Sequence, residues 1–214
     1  LRSVNFHPDG LDYAHSVKIG AGLFHPHHIL YSPIAFLIYK IIPVTPISAC
    51  QIEQLIFSSL LFYVSWRTGS RLLGNVKNGL LATLLLVSSR GVLQYTTGLE
   101  VYLPALTATT FLINELTKKR KSQIKITLFL SMSILLHQTN VLLIIPLFFL
   151  LNFRRYFITT ASSGLIVILI YLVSSGSDNL LDYIFRYANA DIPVWGSFTH
   201  FNIDGISSLG ANLW

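Results

Sequence analysis

Six apolar stretches separated by short polar breaks dominate the chain between residues 48 and 173. They cover residues 48–66, 76–95, 100–116, 124–136, 139–152 and 156–173. A transmembrane helix needs about 20 mostly apolar residues to cross the hydrocarbon core of a bilayer. The pattern therefore predicts an all-α, polytopic bundle of six membrane-spanning helices. Because no repeat or soluble linker interrupts it, we expect one membrane domain over residues 1–214.

The two stretches on either side of His137 are short for membrane-spanning helices. Together they occupy residues 124–152, so each would cover only about 20 Å at the helical rise per residue. A non-helical turn at membrane depth is tolerated where it is buried in protein or lines a watery cavity. We therefore expect a crevice that opens on one side of the membrane and has His137 near its floor.

Residues 29–47 are apolar but contain Lys40 and three prolines, Pro33, Pro43 and Pro46. Proline removes a backbone donor and disrupts the interior of a helix. We expect short helices on the membrane surface here, which makes residues 1–47 an outer loop. A seventh crossing is an alternative that the charges leave open. Residues 174–214 are then a further outer loop or the start of later spans.

Basic residues collect in alternate breaks between the apolar stretches. Short cytoplasmic loops are enriched in Lys and Arg, so we assign this side to the cytoplasm, and the plain alternative is that the charges serve only as topology anchors. Glu100, His137 and residues 174–214 fall on the opposite side, where we expect the function. Ten of the fifteen basic residues lie in these breaks: Arg67, Arg71, Lys77, Lys118, Lys119, Arg120, Lys121, Lys125, Arg154 and Arg155.

The composition excludes several classes of protein. The chain is 52% hydrophobic and 11% charged, with a mean hydropathy of +0.60, whereas a soluble domain has about 25% charged residues. This excludes a soluble globule, a disordered chain and, despite the net charge of +6, a nucleic-acid-binding module. The single cysteine, Cys50, excludes an internal disulfide and a cysteine-based zinc site. No phosphate-binding loop, dinucleotide fingerprint or nucleophile elbow is present. The chain begins at Leu1 without a signal-peptide pattern, and we expect at least one span to precede it.

Asp9 and Asp12 are the first candidates for chemistry. A carboxylate beside a membrane pocket can act as a general base and take the proton of an attacking hydroxyl. The alternative is structural, because Pro8-Asp9-Gly10 is typical of a turn and Asp12 of a helix cap.

Three histidines, His25, His27 and His28, form the second group. Histidines can bind a metal or donate hydrogen bonds to an anionic leaving group. His27 and His28 are adjacent and would point apart on any regular element, and no HxxxH or HExxH spacing follows. Hydrogen bonding near a phosphate, or simple interfacial packing, therefore fits these residues better than a metal site does.

Glu100, Tyr102 and His137 form the third group, since ionisable residues at membrane depth are functional candidates by default. Glu100 has a structural alternative as an acid in a first helical turn, and Tyr102 has one as an aromatic-belt residue. His137 has the weakest alternative, because it interrupts an otherwise apolar stretch. Arg90 pairs with a lipid phosphate or merely reaches the headgroups.

Read in order, these motifs resemble the GT-C superfamily, which comprises polytopic glycosyltransferases that use polyprenyl-phosphate-linked sugars. The protein O-mannosyltransferase-like branch is the most similar one. The resemblance covers residues 9–152 and rests on short motifs taken as a set. These are Asp9-x-x-Asp12, His25-Pro26 leading into an apolar surface helix, Glu100-Val101-Tyr102, and His137 before a stretch ending near Pro146.

The resemblance implies a first outer loop folded into surface helices, and an acid in that loop, here Asp9 or Asp12, as the base of an inverting glycosyl transfer. It implies that Arg90, His25, His27 and His28 stabilise the departing phosphate, and that Glu100, Tyr102 and His137 line the sugar pocket. Some members of the family use a divalent cation, and no other cofactor is implied. The chain has Asp-x-x-Asp in place of the usual Asp-x-x-Glu and lacks a His-Pro-Pro-Gly-Tyr-Pro-like run, so donor and acceptor specificity stay open.

We therefore expect an integral, multi-pass protein of a prokaryotic plasma membrane or the endoplasmic reticulum. Its expected partners are a polyprenyl-phosphate sugar donor, an acceptor hydroxyl on protein, glycan or lipid, and membrane lipids, with no nucleic acid. The alternative is a transporter whose crevice binds a polar solute or a proton through His137 and Glu100, although transporters often show inverted repeats, which this sequence lacks. A non-catalytic membrane subunit is a third possibility.

Overall fold

The structure, a computed structural model, describes residues 8–176 together with residues 180 and 183; of residues 8 and 9 only the backbone belongs to this part. Two compact units divide the chain, residues 1–174 and 175–214, and the contacts described below lie within the first. Most of the predicted tail, 174–214, lies outside the described residues. The described part is helical and contains no strand. Its helices are α1 (Pro8–Ile19), α2 (Tyr31–Ile41), α3 (Pro46–Leu72), α4 (Val76–Val87), α5 (Arg90–Thr97), α6 (Tyr102–Leu116), α7 (Gln123–Leu136), a 3₁₀ helix (Gln138–Leu143), α8 (Ile144–Leu150) and α9 (Phe153–Ser175).

Polar residues in the breaks of the hydrophobic pattern cap the helices that follow them. Thr45 accepts a hydrogen bond from the Ser48 amide at 3.2 Å and precedes a proline at the first position of α3. Asn75 accepts from the Lys77 amide at 2.7 Å. A side-chain acceptor of this kind satisfies one of the amides that the first turn of a helix leaves without a partner. The breaks therefore set where the helices begin.

Contacts between helices define two ends of the helical assembly. At one end, Arg71 late in α3 donates to the carbonyl oxygen of Asn114 late in α6 at 2.9 Å, and Gln123 at the start of α7 donates to the carbonyl oxygen of Arg155 at the start of α9 at 3.1 Å. We call this the basic end. At the other end, Tyr171 late in α9 donates to the carbonyl oxygen of Pro26. We call this the histidine end, because His25, His27, His28 and His137 lie there.

The structure supports fewer membrane-spanning helices than the six that the sequence predicts. Among the described residues, α3 and α9 are long and apolar enough to cross a membrane, and α4 with α5 gives a third if the bent pair is one span. The predicted stretch 76–95 is broken near Ser88, where the axis bends by 67°. The stretch 139–152 is divided between the 3₁₀ helix and α8, and α6 and α7 have only 15 and 14 residues. The chain is thus all-helical and compatible with a membrane protein, and a six-span bundle is not established.

The expected short helix within residues 29–47 is present as α2. Its 11 residues extend about 16 Å at the helical rise, which is too short for a crossing. Tyr31, Ser32 and Ala35 are its buried residues, while Leu37 and Ile41 on the other side are exposed. One face of α2 therefore packs against the rest of the protein, and the opposite face exposes apolar side chains.

Two glycines, Gly69 of α3 and Gly79 of α4, let these helices pack closely near the basic end. A Cβ atom added at Gly69 would lie 3.2 Å from the Cα atom of Gly79, and one added at Gly79 would lie 2.2 Å from the Ser70 hydroxyl oxygen. Small residues let two helix backbones approach in this way in membrane proteins. A larger residue at position 79 is therefore expected to push the two helices apart.

Candidate functional site

Backbone hydrogen bonds hold the loop before α2 against the turn after α7. The Leu30 amide donates to the Leu135 carbonyl at 3.3 Å, and the Gln138 amide donates to the His27 carbonyl at 3.1 Å. The loop that contains three of the histidines therefore lies against the turn that contains the fourth. His137, which the sequence predicts near the floor of a crevice, lies half-buried beside this loop.

The four histidines His25, His27, His28 and His137 form a group that we call the histidine cluster. The rings of His25 and His28 are stacked, with centroids 4.5 Å apart and planes within 3°. The ring centroids of His25 and His27 are 5.5 Å apart, and those of His28 and His137 are 5.9 Å apart. Sequence positions more than 100 residues apart thus meet in one place.

Tyrosines from three helices border the histidine cluster. The Tyr13 hydroxyl of α1 lies 2.9 Å from Nε2 of His28, and its ring meets that of Tyr31 edge-on, with centroids 4.9 Å apart. Tyr102 of α6 lies 5.1 Å from His137, centroid to centroid. Tyrosine combines an apolar ring with a polar hydroxyl and is suited to a border between apolar and wet surroundings.

The environment of the cluster keeps its imidazoles uncharged at neutral pH. Burial, together with the neighbouring His27, lowers the pKa of His25 to about 4. Burial, and then the nearby His25, His137 and His27, lowers the pKa of His28 to about 2. The pKa values of His27 and His137 are lowered as well, chiefly by burial. An uncharged imidazole has one N–H donor and one acceptor nitrogen, so the cluster offers hydrogen bonds and no fixed positive charge.

Side chains after α7 set the hydrogen-bonding roles of two imidazoles. The Gln138 amide nitrogen bonds Nδ1 of His27, and the Thr139 hydroxyl lies 2.7 Å from Nδ1 of His137. A partner on one ring nitrogen selects which nitrogen carries the proton. Within the described part of the chain, no three or more His, Cys, Asp or Glu side chains are arranged to hold a metal ion. The divalent cation that the resemblance allows therefore has no fitting site there.

Two of the expected acids, Asp12 and Glu100, lie near the histidine cluster. Contacts made by adjacent residues show their placement. Asp12 is exposed and directly precedes Tyr13. A Cβ atom added at Gly10 would lie 2.7 Å from Cβ of Leu99, so the first turn of α1 adjoins the segment that leads to Glu100. The Glu100 carbonyl oxygen accepts a hydrogen bond from the Gln54 amide nitrogen at 2.6 Å. Asp9 lies in the same first turn, and its side chain is outside the described residues.

Arg90 is not among the residues that the described contacts bring to the histidine cluster. It is exposed at the first position of α5. Tyr95, five residues further along α5, lies 5.1 Å from Tyr102 by ring centroids, and that spacing places Arg90 about 7.5 Å further along the helix axis. The expected role of Arg90 at a phosphate therefore rests on its place near the end of the stretch 76–95 and on the family resemblance.

Several residues of the site are missed by motif reasoning. Tyr13, Tyr31 and Gln138 adjoin the predicted motifs but are not among the predicted site residues, and only folding brings them to the histidines. Glu53 and Gln54 carry a signal that could have found them, because a polar pair that includes an ionisable residue interrupts the apolar stretch 48–66, and such residues are functional candidates by default.

A cavity of about 670 Å³ lies at the basic end, between the first turns of α7 and α9. It contains no residue of the predicted site and offers two guanidinium groups but no acid or imidazole that could act as a base. It is lined by Gln123, Asn152, Phe153, Arg154, Arg155 and Ile158. We therefore place the candidate site at the histidine cluster and not at this cavity.

Comparison with known proteins gives no match to this chain, whether with protein-family models, curated proteins or solved structures.

Proposed function

We propose that the protein is a membrane glycosyltransferase that transfers a sugar from a polyprenyl-phosphate donor to an acceptor hydroxyl on the non-cytoplasmic face. The observation that carries this proposal is the histidine cluster, in which His25, His27, His28 and His137 meet beside Tyr13 and Tyr102. Such a group, at one end of a set of apolar helices, is suited to a ligand with a polar head and an apolar tail.

Uncharged imidazoles are suited to a phosphate that gains charge during the reaction. When the sugar leaves, negative charge develops on the lipid phosphate, and hydrogen-bond donors already aimed at that charge lower the barrier. His25 supplies an N–H group for this purpose, because its Nδ1 accepts from the His27 amide at 3.3 Å, and His28 holds the His25 ring by stacking. Tyr102 and Glu100 contact the sugar in the proposal. Protonation of an imidazole is favoured once an anion lies beside it, so donor binding would strengthen these contacts.

Asp9 or Asp12 supplies the general base in this mechanism. The acceptor oxygen attacks the anomeric carbon as the bond to the phosphate oxygen breaks, and its proton passes to the carboxylate. Asp12 supports this role because it is exposed to an incoming acceptor and lies next to Tyr13, whose hydroxyl reaches His28. Arg90 remains a candidate for the phosphate through the resemblance.

Transfer of label from radiolabelled polyprenyl-phosphate mannose in membranes tests the proposal. Asp9→Asn and Asp12→Asn remove the two candidate bases, and loss of a general base costs about 10²–10⁴-fold in rate. We expect a loss of this size from one of the two variants. Near-normal transfer by both would contradict the assignment of the base.

A matched control comes from α1 itself. His15 is exposed, lies outside the histidine cluster, and is on the same helix as Asp9 and Asp12. His15→Gln should leave transfer unchanged. A comparable loss from His15→Gln would show that substitutions in α1 act through folding and not through the proposed chemistry.

A transporter is the second candidate, and two observations favour it. The α4–α5 pair is bent by 67° at a break, and discontinuous helices are common at transporter binding sites. Glu53 also lies buried within the span-length helix α3. Uptake of labelled solute into proteoliposomes, with no transfer of sugar from the lipid donor, would favour this function over glycosyl transfer.

A further inference from the structure

Glu53 is a fully buried acid within a helix long enough to cross a membrane. Its exposed fraction is 0%, and it lies in α3, one of the helices that pass the length and hydropathy test for a span. Neither of its carboxyl oxygens has a hydrogen-bond partner among the described residues. Since buried polar groups are nearly always hydrogen-bonded, a group without a partner calls for an explanation.

Apolar packing surrounds the turns of α3 before and after Glu53. Cys50, one turn earlier, lies in a buried cluster of side chains, and Phe57, one turn later, lies in another. The first also contains Ala14, Val17, Ala35 and Leu99, and the second contains Leu61, Val92 and Leu103. These residues come from α1, α2, α5 and α6 and the segment before α6, and none of them carries a charge.

The titratable groups near Glu53 belong to the histidine end. Burial, and next the neighbouring Glu53 carboxyl, raises the pKa of the Tyr31 phenol well above its usual value. Cys50 contributes to the same shift, and so does Tyr13, whose hydroxyl reaches His28. All of these groups are neutral or acidic, so no cation among them offsets a carboxylate at position 53.

An ionised carboxylate is very costly to bury in an apolar environment unless it is paired. Glu115 shows the paired case in the same protein. It is 2% exposed, bonds the Lys118 ammonium, and accepts a hydrogen bond from the Ser122 amide at 3.0 Å. Glu53 has none of these compensations in the described structure.

We propose that Glu53 is a membrane-embedded proton-binding site that adjoins Tyr31 at the back of the histidine end. The carboxyl holds its proton there as an uncharged acid. This goes beyond the transfer reaction and does not depend on which group is transferred. Intramembrane acids of this type serve proton pathways in membrane proteins.

Reaction with dicyclohexylcarbodiimide tests the protonation state directly. This apolar reagent takes the proton of a carboxylic acid on its nitrogen while the carboxylate oxygen adds to its central carbon, and the adduct rearranges to a stable acylurea. On the full protein in membranes, we expect mass mapping to find the adduct on Glu53. The adduct should be lost in Glu53→Gln and kept in Glu115→Gln. Labelling that persists unchanged in Glu53→Gln would overturn the proposal.

Infrared difference spectroscopy tests the link to Tyr31. The difference between wild type and Glu53→Gln should contain the carbonyl stretch of a protonated carboxylic acid, and a carboxylate band in its place would overturn the proposal. Tyr31→Phe should shift this band, because it removes the neighbouring hydroxyl. Tyr63→Phe is the matched control. Tyr63 lies on α3, as Glu53 does, but its side chain is 50% exposed. A band that Tyr31→Phe leaves unmoved would overturn the placement beside Tyr31.

Discussion

The two ends of the protein treat buried ionisable groups in opposite ways. At the basic end, Arg71 donates to the carbonyl and side-chain oxygens of Asn114 and to the Thr117 hydroxyl, each at 2.9 Å, and Glu115 is bonded to Lys118. At the histidine end, Nδ1 of His28 and both oxygens of Glu53 are buried without partners among the described residues. These are the only ionisable atoms of the described part in that condition.

This difference suggests that the basic end has a structural role and the histidine end a chemical one. A polar network whose groups are all hydrogen-bonded makes the elements that it joins more rigid. A buried polar group without a hydrogen bond lowers stability and calls for an explanation such as a functional role. The charges at the basic end join α3, α6 and α7. The buried imidazoles at the histidine end stay uncharged at neutral pH.

The largest expected effect is on transfer activity at the histidine end. His25→Phe keeps the ring that stacks on His28 but removes both nitrogens, and Tyr13→Phe removes the hydroxyl that bonds His28. If these groups stabilise the departing phosphate, transfer from polyprenyl-phosphate mannose should fall about 10²–10³-fold in His25→Phe and less in Tyr13→Phe. Near-normal rates in both variants would remove the cluster from the mechanism.

The next effect is on stability at the basic end. Arg71→Ala removes one donor group from three acceptors and is expected to lower the free energy of unfolding by roughly 1–3 kcal/mol. Thermal unfolding in detergent micelles measures the loss. Transfer per folded molecule should stay unchanged, and a selective loss of activity would show that the two ends are not separable.

A smaller effect sharpens the contrast between the two buried glutamates. Glu115→Gln weakens its contacts with Lys118 and the Ser122 amide and should destabilise the protein by about 1 kcal/mol, because Lys118 is 33% exposed and exposed pairs contribute little. Glu53→Gln removes no ion pair and should change stability less. Equal losses in thermal unfolding would contradict the contrast.

The remaining expected effect is the pH dependence of stability. The pKa of His25 is lowered to about 4 and that of His28 to about 2, so between the usual value near 6.5 and these values the unfolded chain binds protons that the folded chain does not. Stability should therefore be greatest above pH 6.5 and fall as the pH decreases towards 4. Melting temperatures at pH 7.5 and pH 5 measure this, and a double variant, His25→Gln with His28→Gln, should show a flatter profile.

The sequence predicts much of the helix pattern and part of the candidate site. The apolar stretches 48–66 and 156–173 correspond to α3 and α9, and the polar breaks supply caps such as Asn75. The division of 76–95 is not among the predictions, although Ser88-Ser89-Arg90-Gly91 interrupts the apolar pattern at the bend.

Long-range packing explains why the rest of the site could not be predicted. The meeting of His28 with His137 depends on the loop that lies against the turn after α7, and no local pattern encodes that contact. Tyr31 and Gln54 likewise meet through a hydrogen bond of 3.1 Å between α2 and α3. The expectation for Arg90 came from its place near the end of a stretch, and the contacts of the cluster do not include it.

Photocrosslinking with a diazirine-bearing polyprenyl-phosphate mannose tests the central claim most directly, because it reports where the donor binds without requiring transfer. Our account predicts adducts on the loop at residues 25–30 and on residues 137–140, competed by unlabelled polyprenyl-phosphate mannose and reduced in His25→Phe. Competed adducts confined to the first turns of α7 and α9, around Arg154 and Arg155, would contradict it.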